Sequence, residues 1–412
     1  MQNIQKSQEF LQRAEKVIPC QTQTFSKGPK YFPENYPKYL KEGFGATVID
    51  IDGNKYLDFI CGLGAITLGY KYINEAIRIQ LDKGIIFSLP SPLEVELAEL
   101  LCEVIPCAEM VRFSKTGSEA TSAAIKAARA YTGRDVVLQW GYHGWHDWYS
   151  IRSDKPKGIP SSYKDYIASF EYNDIDSLRK LFAVYSNQVA AVIMEPVTFT
   201  PPKNDFLTKV YDITHAHGAV LIFDEMVTGF RWSLGGAQEY FKVTPDLACF
   251  GKGMANGMPI SAVVGKKEIM RTFEEENQVF FSTTFGGECL SLAAAIITVK
   301  LMQKGTYFSH IWSLGKRIIE EVNKIEGLSA SGYPCRPMLQ MKNETPELRS
   351  LLMAELCKKG ILTHSGALNL CLCHAGSDID RLLSALDMSM RDIREGKVKL
   401  EGRPAKMSFR RT

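Results

Sequence analysis

The sequence predicts an α/β protein with a large domain, whose mainly parallel sheet is flanked by helices, and a smaller α+β domain built from both ends of the chain. In the middle of the chain, short apolar runs alternate with longer amphipathic stretches, which is typical of parallel strands joined by helices. The 412 residues are enough for two or three domains. Apolar residues make up 45% of them and charged residues 23%, as in soluble globular proteins with a large core.

Six apolar runs in the middle of the chain are predicted strands. They are apolar on both faces, as expected for strands buried inside a parallel sheet. A helix is predicted from about Ser118 to Tyr131, directly after the first strand. The predicted strands are residues 110–114, 135–140, 189–194, 219–223, 247–250 and 260–265.

The rest of the chain has a different pattern. Asp52-Gly53, which lies between two β-like runs within residues 46–59, is a hairpin signal. A new α+β pattern begins after about Lys304. The helices predicted outside the central region are residues 10–17, 94–104, 346–359 and 379–391.

These patterns divide the chain into four segments. Residues 1–55 are an N-terminal segment that packs with the small domain, and residues 56–303 are the large domain. Residues 304–394 are the C-terminal small α+β domain. Residues 395–412 are basic and poor in apolar residues, so we expect a frayed, solvated tail.

Composition and charge argue against several classes of function. The formal net charge is only +3, so neither nucleic acid nor a membrane is expected as a partner. The N-terminus lacks the apolar run of a signal peptide, and no stretch is long enough for a membrane helix. The ten cysteines are scattered without a Cys-x-x-Cys pair, and Cys371 and Cys373 alone are not a metal signature. We therefore expect reduced thiols, a cytoplasmic location and no bound metal.

Polar residues and glycines follow five of the predicted strands. Ligands of such sheets bind beyond the carboxyl ends of the strands, so these loops are expected to line one crevice. The loops are Lys115-Thr116-Gly117-Ser118-Glu119, Gly141-Tyr142-His143-Gly144-Trp145-His146-Asp147, Glu195-Pro196, Asp224-Glu225 and Gly251-Lys252-Gly253.

Thr116-Gly117-Ser118 opens the predicted helix that follows the first strand. Its N–H groups and hydroxyls can bind a phosphate, because the N-terminus of a helix favours an anion. The alternative is that Ser118 is simply the N-cap of the helix.

Two charged residues follow apolar strands. The carboxylate of Asp224 needs a cationic partner or strong hydrogen bonds there, and the partner can be a protonated pyridine nitrogen or, alternatively, Arg231. Lys252 lies between two glycines, which leave room for a bulky ring. Partial desolvation favours the neutral amine that forms a Schiff base, although Lys252 can equally be a surface lysine in a turn.

The loop after the second strand contains an aromatic residue and two histidines. Tyr142 can stack on a flat cofactor ring, or it can be an ordinary half-buried tyrosine. His143 and His146 can ligate a metal, but no acidic residue or cysteine stands at ligand spacing, which argues against a metal.

In this order, these motifs resemble those of the class III aminotransferases of fold type I, which use pyridoxal 5'-phosphate (PLP). Within that family the sequence is most similar to the glutamate-1-semialdehyde 2,1-aminomutase branch. The resemblance runs from about Ala14 to Asp387. Its carriers are residues 111–121, 142–144, 195–196, 224–231 and 245–252.

The resemblance implies roles residue by residue. Lys252 matches the Schiff-base lysine that also moves the substrate α-proton, and Asp224 matches the carboxylate paired with the pyridinium. Gly117 and Ser118 match the phosphate loop, and Tyr142 matches the aromatic residue that stacks on the ring.

The resemblance also implies three further cofactor contacts. Glu195 and Met226 occupy pattern positions near the ring. Thr284, within Ser282-Thr-Thr-Phe-Gly-Gly287, matches a threonine that reaches the phosphate bound by the partner subunit. That match implies a homodimer with active sites at its interface.

The sequence departs from the aminomutase branch at substrate positions. An Asn-Ser-Pro-Val-Arg stretch is replaced by residues 19–25, which lack arginine, and Ser-Trp-Gly is replaced within Cys61-Gly62-Leu63-Gly64. Ser-Gly-Asn-Pro is replaced by Gly286-Gly287-Glu288-Cys289. The patterns at residues 23–28 and 141–148 are similar to aminotransferase-like proteins of surface-polysaccharide synthesis, which implies a sugar-derived or other polyhydroxylated carbonyl substrate.

By this resemblance we expect an aminotransferase with a ping-pong mechanism. An amino donor converts PLP to pyridoxamine 5'-phosphate, and a carbonyl acceptor then takes the amino group. The alternatives are an intramolecular aminomutase acting through the pyridoxamine form, another PLP reaction such as racemisation or decarboxylation, and a non-catalytic binding protein of the same fold.

Overall fold

The computed structural model describes residues 3–277 and 279–406. These residues form two compact units, one from the chain up to Tyr72 together with the chain from Thr306, and the other from Ile73–Gly305. Residues 56–72 cluster with the first unit because the strand Lys55–Asp58 is hydrogen-bonded there between two others. Compact units do not by themselves define independently folding domains, so the boundaries at residues 56, 304 and 395 stay predictions.

The described residues contain thirteen strands and fourteen α-helices, numbered here in chain order. The strands are β1 (Leu40–Phe44), β2 (Thr47–Asp50), β3 (Lys55–Asp58), β4 (Met110–Ser114), β5 (Val136–Trp140), β6 (Ile167–Ser169), β7 (Val189–Met194), β8 (Val220–Asp224), β9 (Leu247–Phe250), β10 (Ser261–Gly265), β11 (Leu328–Tyr333), β12 (Arg336–Met341) and β13 (Ile361–Leu362). The helices are α1 (Gln5–Val17), α2 (Cys61–Gly64), α3 (Asn74–Leu81), α4 (Pro92–Val104), α5 (Gly117–Thr132), α6 (Asp147–Ser150), α7 (Ile175–Val184), α8 (Phe206–Ala216), α9 (Ala237–Phe241), α10 (Lys267–Met270), α11 (Cys289–Lys304), α12 (Tyr307–Val322), α13 (Pro346–Lys358) and α14 (Gly376–Arg394).

The first unit is an α+β structure with two small sheets. One has the order β1-β2-β3-β13, in which β2 and β3 form the hairpin predicted at Asp52-Gly53 and β13 runs parallel to β3. The other is the antiparallel pair β11 and β12. A core beneath the first sheet contains Tyr36, Val48, Tyr56, Met353, Cys357 and Leu362.

The second unit is built on a seven-stranded sheet with the order β4-β10-β9-β8-β7-β5-β6. All six predicted strands are present, so this part of the fold prediction is confirmed. The exception to parallel pairing is β10, which runs antiparallel to both β4 and β9. Residues 251–260, which join β9 to β10, are too few for the crossover that a parallel connection needs. The carboxyl ends of β4, β5, β7, β8 and β9 consequently lie at one edge of the sheet.

Helix α5 packs on this sheet through small side chains. The alanines of its inner face are fully or almost fully buried, and they allow the helix to lie close to the strands. The helix begins at the edge where the five loops follow their strands, so its N-terminus faces the predicted crevice. The buried alanines are Ala120, Ala123, Ala124, Ala127 and Ala128.

The described part of the C-terminal tail is bound to the first unit, which corrects the expectation of a frayed, solvated tail. The backbone N–H of Arg403 donates to Glu34, and that of Ala405 donates to Ser350. Ala405 is buried, and the N–H of Lys406 donates to the carbonyl of Lys30. Composition alone missed these contacts because they use backbone groups. Residues 407–412 lie outside the described part of the chain.

Gly315 of α12 tests the packing of the first unit. A Cβ atom at this position would stand 1.6 Å from the carbonyl oxygen of Pro334. We expect Gly315→Ala to lower the free energy of unfolding by about 3 kcal/mol, because the helix must move away from a backbone that cannot yield. Gly376→Ala is the matched control, since a Cβ there meets nothing within 4 Å. Equal effects of both substitutions in urea denaturation would contradict this packing.

Candidate active site

Asp224 and Lys252 lie at the ends of neighbouring parallel strands. Asp224 is the last residue of β8 and pairs in register with Cys249 of β9. The N–H of Glu225 continues this pairing by donating to the carbonyl of Cys249 at 2.9 Å. Lys252 follows three residues later, at the start of a 3-10 turn. The sheet therefore presents both side chains at the same edge.

Asp224 is paired with His143, a residue that sequence reasoning considered only as a metal ligand. Asp224 Oδ2 and His143 Nδ1 are 2.8 Å apart, and their side chains are 2% and 0% exposed. The other carboxylate oxygen accepts the N–H of Met226 at 3.1 Å. His143 follows Tyr142 in the loop after β5, and this position after a strand was the available signal. The alternative of an Arg231 partner for Asp224 is replaced by this pair.

Both ring nitrogens of His143 face acceptors. Nδ1 faces the Asp224 carboxylate, and Nε2 lies 3.0 Å from the carbonyl oxygen of Trp140. Because a carbonyl oxygen can only accept, the ring donates through Nε2, and it donates through Nδ1 as well when the carboxylate is ionised. These two contacts hold the imidazole between Trp140 and the Asp224 carboxylate.

The helix cap at α5 differs from the alternative that the sequence left open. Thr116, not Ser118, is the N-cap, and it forms a capping box with Glu119. The hydroxyl of Ser118 instead accepts the N–H of Trp145 at 3.1 Å. The backbone N–H groups of Gly117 and Ser118 belong to the first turn, which has no acceptor inside the helix. They are consequently the groups that a bound anion can use.

Met226 packs between the start of α5 and the loop that carries Lys252. A Cβ atom on Gly117 would stand 2.9 Å from the Met226 sulfur, and one on Gly251 would stand 2.7 Å from it. Glycine at both positions therefore lets the start of α5 and the loop of Lys252 approach the same side chain. This contact brings Gly117 and the loop that carries Lys252 to the side chain of Met226.

Glu195 fixes the backbone of Tyr142. Its Oε2 accepts the Tyr142 N–H at 2.9 Å. Gly141 allows this approach, because a Cβ there would stand 2.8 Å from the same oxygen and the backbone has a φ of +105°. The Tyr142 ring packs edge-on against Tyr149, with 5.6 Å between centroids. Glu195 thus orients the loop that carries Tyr142 and His143.

Lys252 occupies a strained backbone conformation. Its φ is +39°, in the left-handed region that non-glycine residues seldom adopt. Its side chain is partly buried, whereas the neighbouring Gly253 and Met254 are buried. Such strain is held by surrounding structure and is often found at functional sites. This setting disfavours the alternative of an ordinary surface lysine.

Glu225 is a buried carboxylate that the sequence did not single out. It accepts the N–H of Ala237 at 2.8 Å and that of Gln238 at 2.9 Å, so it caps the short helix α9. It also accepts a short hydrogen bond from the Thr228 hydroxyl. Burial raises the pKa of Glu225 to about 7, while the hydrogen bond from Thr228 and those from Ala237 and Gln238 lower it. Glu225 therefore holds the loop that follows Asp224.

Thr284 lies on a segment that an ion pair links to the residues just before α5. It is exposed, on the segment that leads into α11. Glu288, four residues later, caps α11 by accepting the N–H of Leu290 at 2.6 Å. Its other oxygen lies 3.0 Å from the ammonium of Lys115, just before the phosphate loop. This ion pair, only 18% and 12% exposed, ties the Thr284 segment to the start of α5.

The chain was compared with known proteins. A family model for aminotransferase class-III matches residues 31–331. The chain belongs to the class III aminotransferase family. The 3-aminobutyryl-CoA aminotransferase of Cloacimonas acidaminovorans (strain Evry) is 33% identical over 413 residues, which cover 95% of this chain and 98% of that protein. A glutamate-1-semialdehyde 2,1-aminomutase of Alkaliphilus oremlandii (strain OhILAs) is 34% identical over 425 residues, covering 95% and 100%.

A solved structure has the same architecture as this class III chain. The PLP internal aldimine form of the Sphingopyxis sp. MTA144 FumI protein superposes with a TM-score of 0.90 at 26% identity, covering 97% of this chain and 99% of that one. The predicted fold type I, the family and the likeness to the aminomutase branch are confirmed. Among the helices of the described residues, none has the length and apolar character needed to cross a bilayer.

The buried Glu225 makes stability depend on pH. Its folded pKa of about 7 lies above the value of about 4.3 for a free glutamate, so the protonated carboxyl of Glu225 stabilises the folded state. This stabilisation is fully present below about pH 4.3 and is lost as the pH rises through 7. Between pH 5 and 8 we expect the wild type to lose up to about 3 kcal/mol of unfolding free energy relative to Glu225→Gln. Guanidinium titrations at several pH values measure this difference.

Glu239→Gln is the matched control for this measurement. Glu239 lies in the same region and accepts the N–H of Gly235, but its side chain is exposed. The control is expected to follow the wild type at every pH. Parallel pH profiles for the wild type and Glu225→Gln would contradict a raised pKa at Glu225.

Proposed function

We propose that this chain is a PLP-dependent aminotransferase that moves an amino group between an amino donor and a carbonyl substrate by a ping-pong mechanism. The observation that carries the proposal is the buried Asp224–His143 pair on the strand next to the one that leads to Lys252. Membership of the class III family supports the reaction class. A non-catalytic binding protein would not need this arrangement.

The residues present fit PLP. A protonated pyridine nitrogen needs a buried carboxylate, and Asp224 is 2% exposed. A phosphate needs N–H donors at a helix N-terminus, and α5 offers those of Gly117 and Ser118. Tyr142 stands in the loop next to His143, where a flat ring can stack on it. Bound PLP would supply a protonated conjugated ring that takes up electrons from the substrate α-carbon.

The protein's own residues have separate tasks in this proposal. Asp224 would hold the proton on the ring nitrogen, and His143 holds the carboxylate in one orientation through its 2.8 Å contact. The amine of Lys252 would hold the cofactor through its aldehyde and, when released, would move the proton at the substrate α-carbon. Glu195 and Met226 position the loops around these groups.

The proposal also covers the class of carbonyl substrate and whether the amino group is transferred or moved within one molecule. The patterns at residues 23–28 and 141–148 support a sugar-derived or other polyhydroxylated carbonyl compound. The likeness to a glutamate-1-semialdehyde 2,1-aminomutase supports a second candidate, a mutase that works through the pyridoxamine form. Against that candidate, the arginine and tryptophan of the branch are replaced at residues 19–25 and 61–64.

The visible absorption spectrum with a panel of amino donors tests the proposed reaction. The wild type with PLP is expected to be yellow, and one donor converts it to the pyridoxamine form with one keto acid released per site. Lys252→Ala is expected to lose this conversion by at least ~1,000-fold, because both the covalent link and the proton carrier are absent. Lys267→Ala, an exposed lysine on α10, is the control and keeps it.

The outcomes separate the candidates. Conversion without release of keto acid indicates the mutase. A yellow protein that no donor converts, but that exchanges the α-proton of one amino acid with solvent, indicates a racemase or a lyase. A protein that stays colourless with added PLP means that the assignment of Lys252 is wrong.

We also propose that the enzyme works in the cytoplasm as a homodimer. Among the described residues, which include all ten cysteines, no disulfide forms, as expected for reduced thiols. The second unit has an exposed apolar surface around Thr284. Cys289 N donates to the carbonyl of Ile85 at 2.8 Å, so the segment with exposed Ile85, Phe87 and Leu89 lies beside the segment of Phe285. Exposed apolar side chains grouped on neighbouring segments are typical of an interface.

Substitution of Leu89 tests the dimer. Leu89→Asp places a charge on this surface and is expected to shift the protein to a monomer in analytical ultracentrifugation. Val184→Asp is the control, because Val184 is similarly exposed on α7 at 69% against 78% for Leu89. Thr284→Val is expected to keep the dimer but weaken PLP binding about 10-fold, through loss of one phosphate hydrogen bond. A monomeric wild type, or unchanged PLP binding in Thr284→Val, would contradict the shared phosphate site.

A further inference from the structure

A cluster of three side chains in the first unit has no part in the proposed reaction. Cys61, Cys371 and His374 are buried, and their Sγ, Sγ and nitrogen atoms lie within 4.8 Å of one another. Cys371 Sγ is 3.2 Å from His374 Nδ1. Cys61 comes from the turn after β3, and the other two come from the segment before α14, so the fold brings distant parts of the chain together.

We propose that Cys61, Cys371 and His374 bind one zinc ion. Two thiolates and an imidazole form a ligand set that zinc prefers, with bonds of about 2.3 Å to sulfur and about 2.0 Å to nitrogen. A tetrahedral ion holds such ligand atoms about 3.5–3.8 Å apart, so small shifts of these side chains would admit it. The sequence alone did not indicate this site, because Cys371 and His374, three residues apart, need Cys61 as a third ligand and Cys61 is distant in the chain.

His374 presents Nδ1 to the cluster. The backbone N–H of Cys371 donates to Nδ1 at 3.0 Å, so the ring proton is on Nε2, and an ion at Nδ1 would take the place of this hydrogen bond. The ring stacks on Phe59, with 4.7 Å between centroids, which fixes its plane.

Charge balance favours zinc over a monovalent ion. Two thiolates in a buried site need two positive charges, and a divalent ion with a neutral imidazole makes the site neutral. Cys61 Sγ donates to the carbonyl oxygens of Asp58 and Asn369, each at 3.2 Å, and these contacts would give way when Cys61 binds the ion as a thiolate. The three side chains would leave the fourth position of a tetrahedral ion to water.

Backbone strain at Cys61 is a second observation on the same site. Cys61 has a φ of +47° and Leu63 one of +62°, so the turn is held in the left-handed region by its surroundings. An ion bound to Cys61 would fix this turn to the segment of Cys371 and His374. The turn lies within residues 61–64, which stand where the aminomutase branch has Ser-Trp-Gly, so the ion would stabilise a stretch that differs from that branch.

Metal content of the reduced full-length protein tests the site. After chelator treatment under a reducing agent and incubation with zinc, we expect about one tightly bound zinc ion per chain by mass spectrometry. Cys61→Ser and His374→Gln are expected to weaken binding by ~100-fold or more. Cys373→Ser is the matched control, since Cys373 is half-buried two residues from Cys371 but outside the cluster. Zinc should also raise the melting temperature of the wild type and of this control only.

Cobalt substitution gives an independent readout. Cobalt bound to two thiolates produces a charge-transfer band in the near ultraviolet, which both ligand variants should lose. The inference is overturned if the wild type retains no more zinc than Cys61→Ser, or if the wild type with cobalt shows the same spectrum as His374→Gln with cobalt. The inference is also overturned if the protein is two hydrogens lighter by mass spectrometry and this loss maps to a Cys61–Cys371 disulfide that forms in preference to zinc binding. None of these readouts depends on the proposed aminotransferase activity.

Discussion

A buried carboxylate is stable only where donors surround it, and Asp224 depends on this constraint. Its donors come from two places, the imidazole of His143 after β5 and the backbone N–H of Met226 in the turn that follows β8. Strand β7 lies between β5 and β8, so the loop of His143 must reach across its end. Glu195, which follows β7, holds the N–H of Tyr142 and secures that path. The loops after β5, β7 and β8 therefore hold the Asp224 carboxylate together.

Close approach of the backbone connects these three loops to the other loops of the site. Gly117 and Gly251 both touch Met226, Gly141 touches Glu195, and Gly144 stands where a Cβ would be 2.2 Å from the Ser118 hydroxyl. Each contact joins a glycine to a residue that the family pattern assigns to cofactor binding. The candidate site is consequently specified as much by positions without side chains as by the side chains themselves, because any Cβ would separate the loops.

The sequence predicted the central strands well because buried parallel strands are continuous apolar runs, which are distinctive in a sequence. It did not predict the reversal of β10, since the direction of a strand depends on the connection before it. It missed helices such as α11, whose residues are apolar on all sides, as in a buried helix. His143 and Glu225 were missed as site residues because their partners come from other strands or from later turns. The order of motifs, not periodicity, identified the family.

The proposed cofactor residues lie in one compact unit, whereas the departures from the aminomutase branch fall in both. All the residues that we assign to the cofactor lie in Ile73–Gly305, and their motifs follow the family pattern. The departures from the aminomutase branch at residues 19–25 and 61–64 lie in the first unit. Identities of 33% to an aminotransferase and 34% to an aminomutase are therefore expected to be nearly equal, because most of the matched sequence encodes shared chemistry. Overall identity consequently does not decide between transfer and mutation of an amino group. The departures at residues 19–25 and 61–64 in the first unit and at residues 286–289 in the second are the positions at which the two reactions can differ.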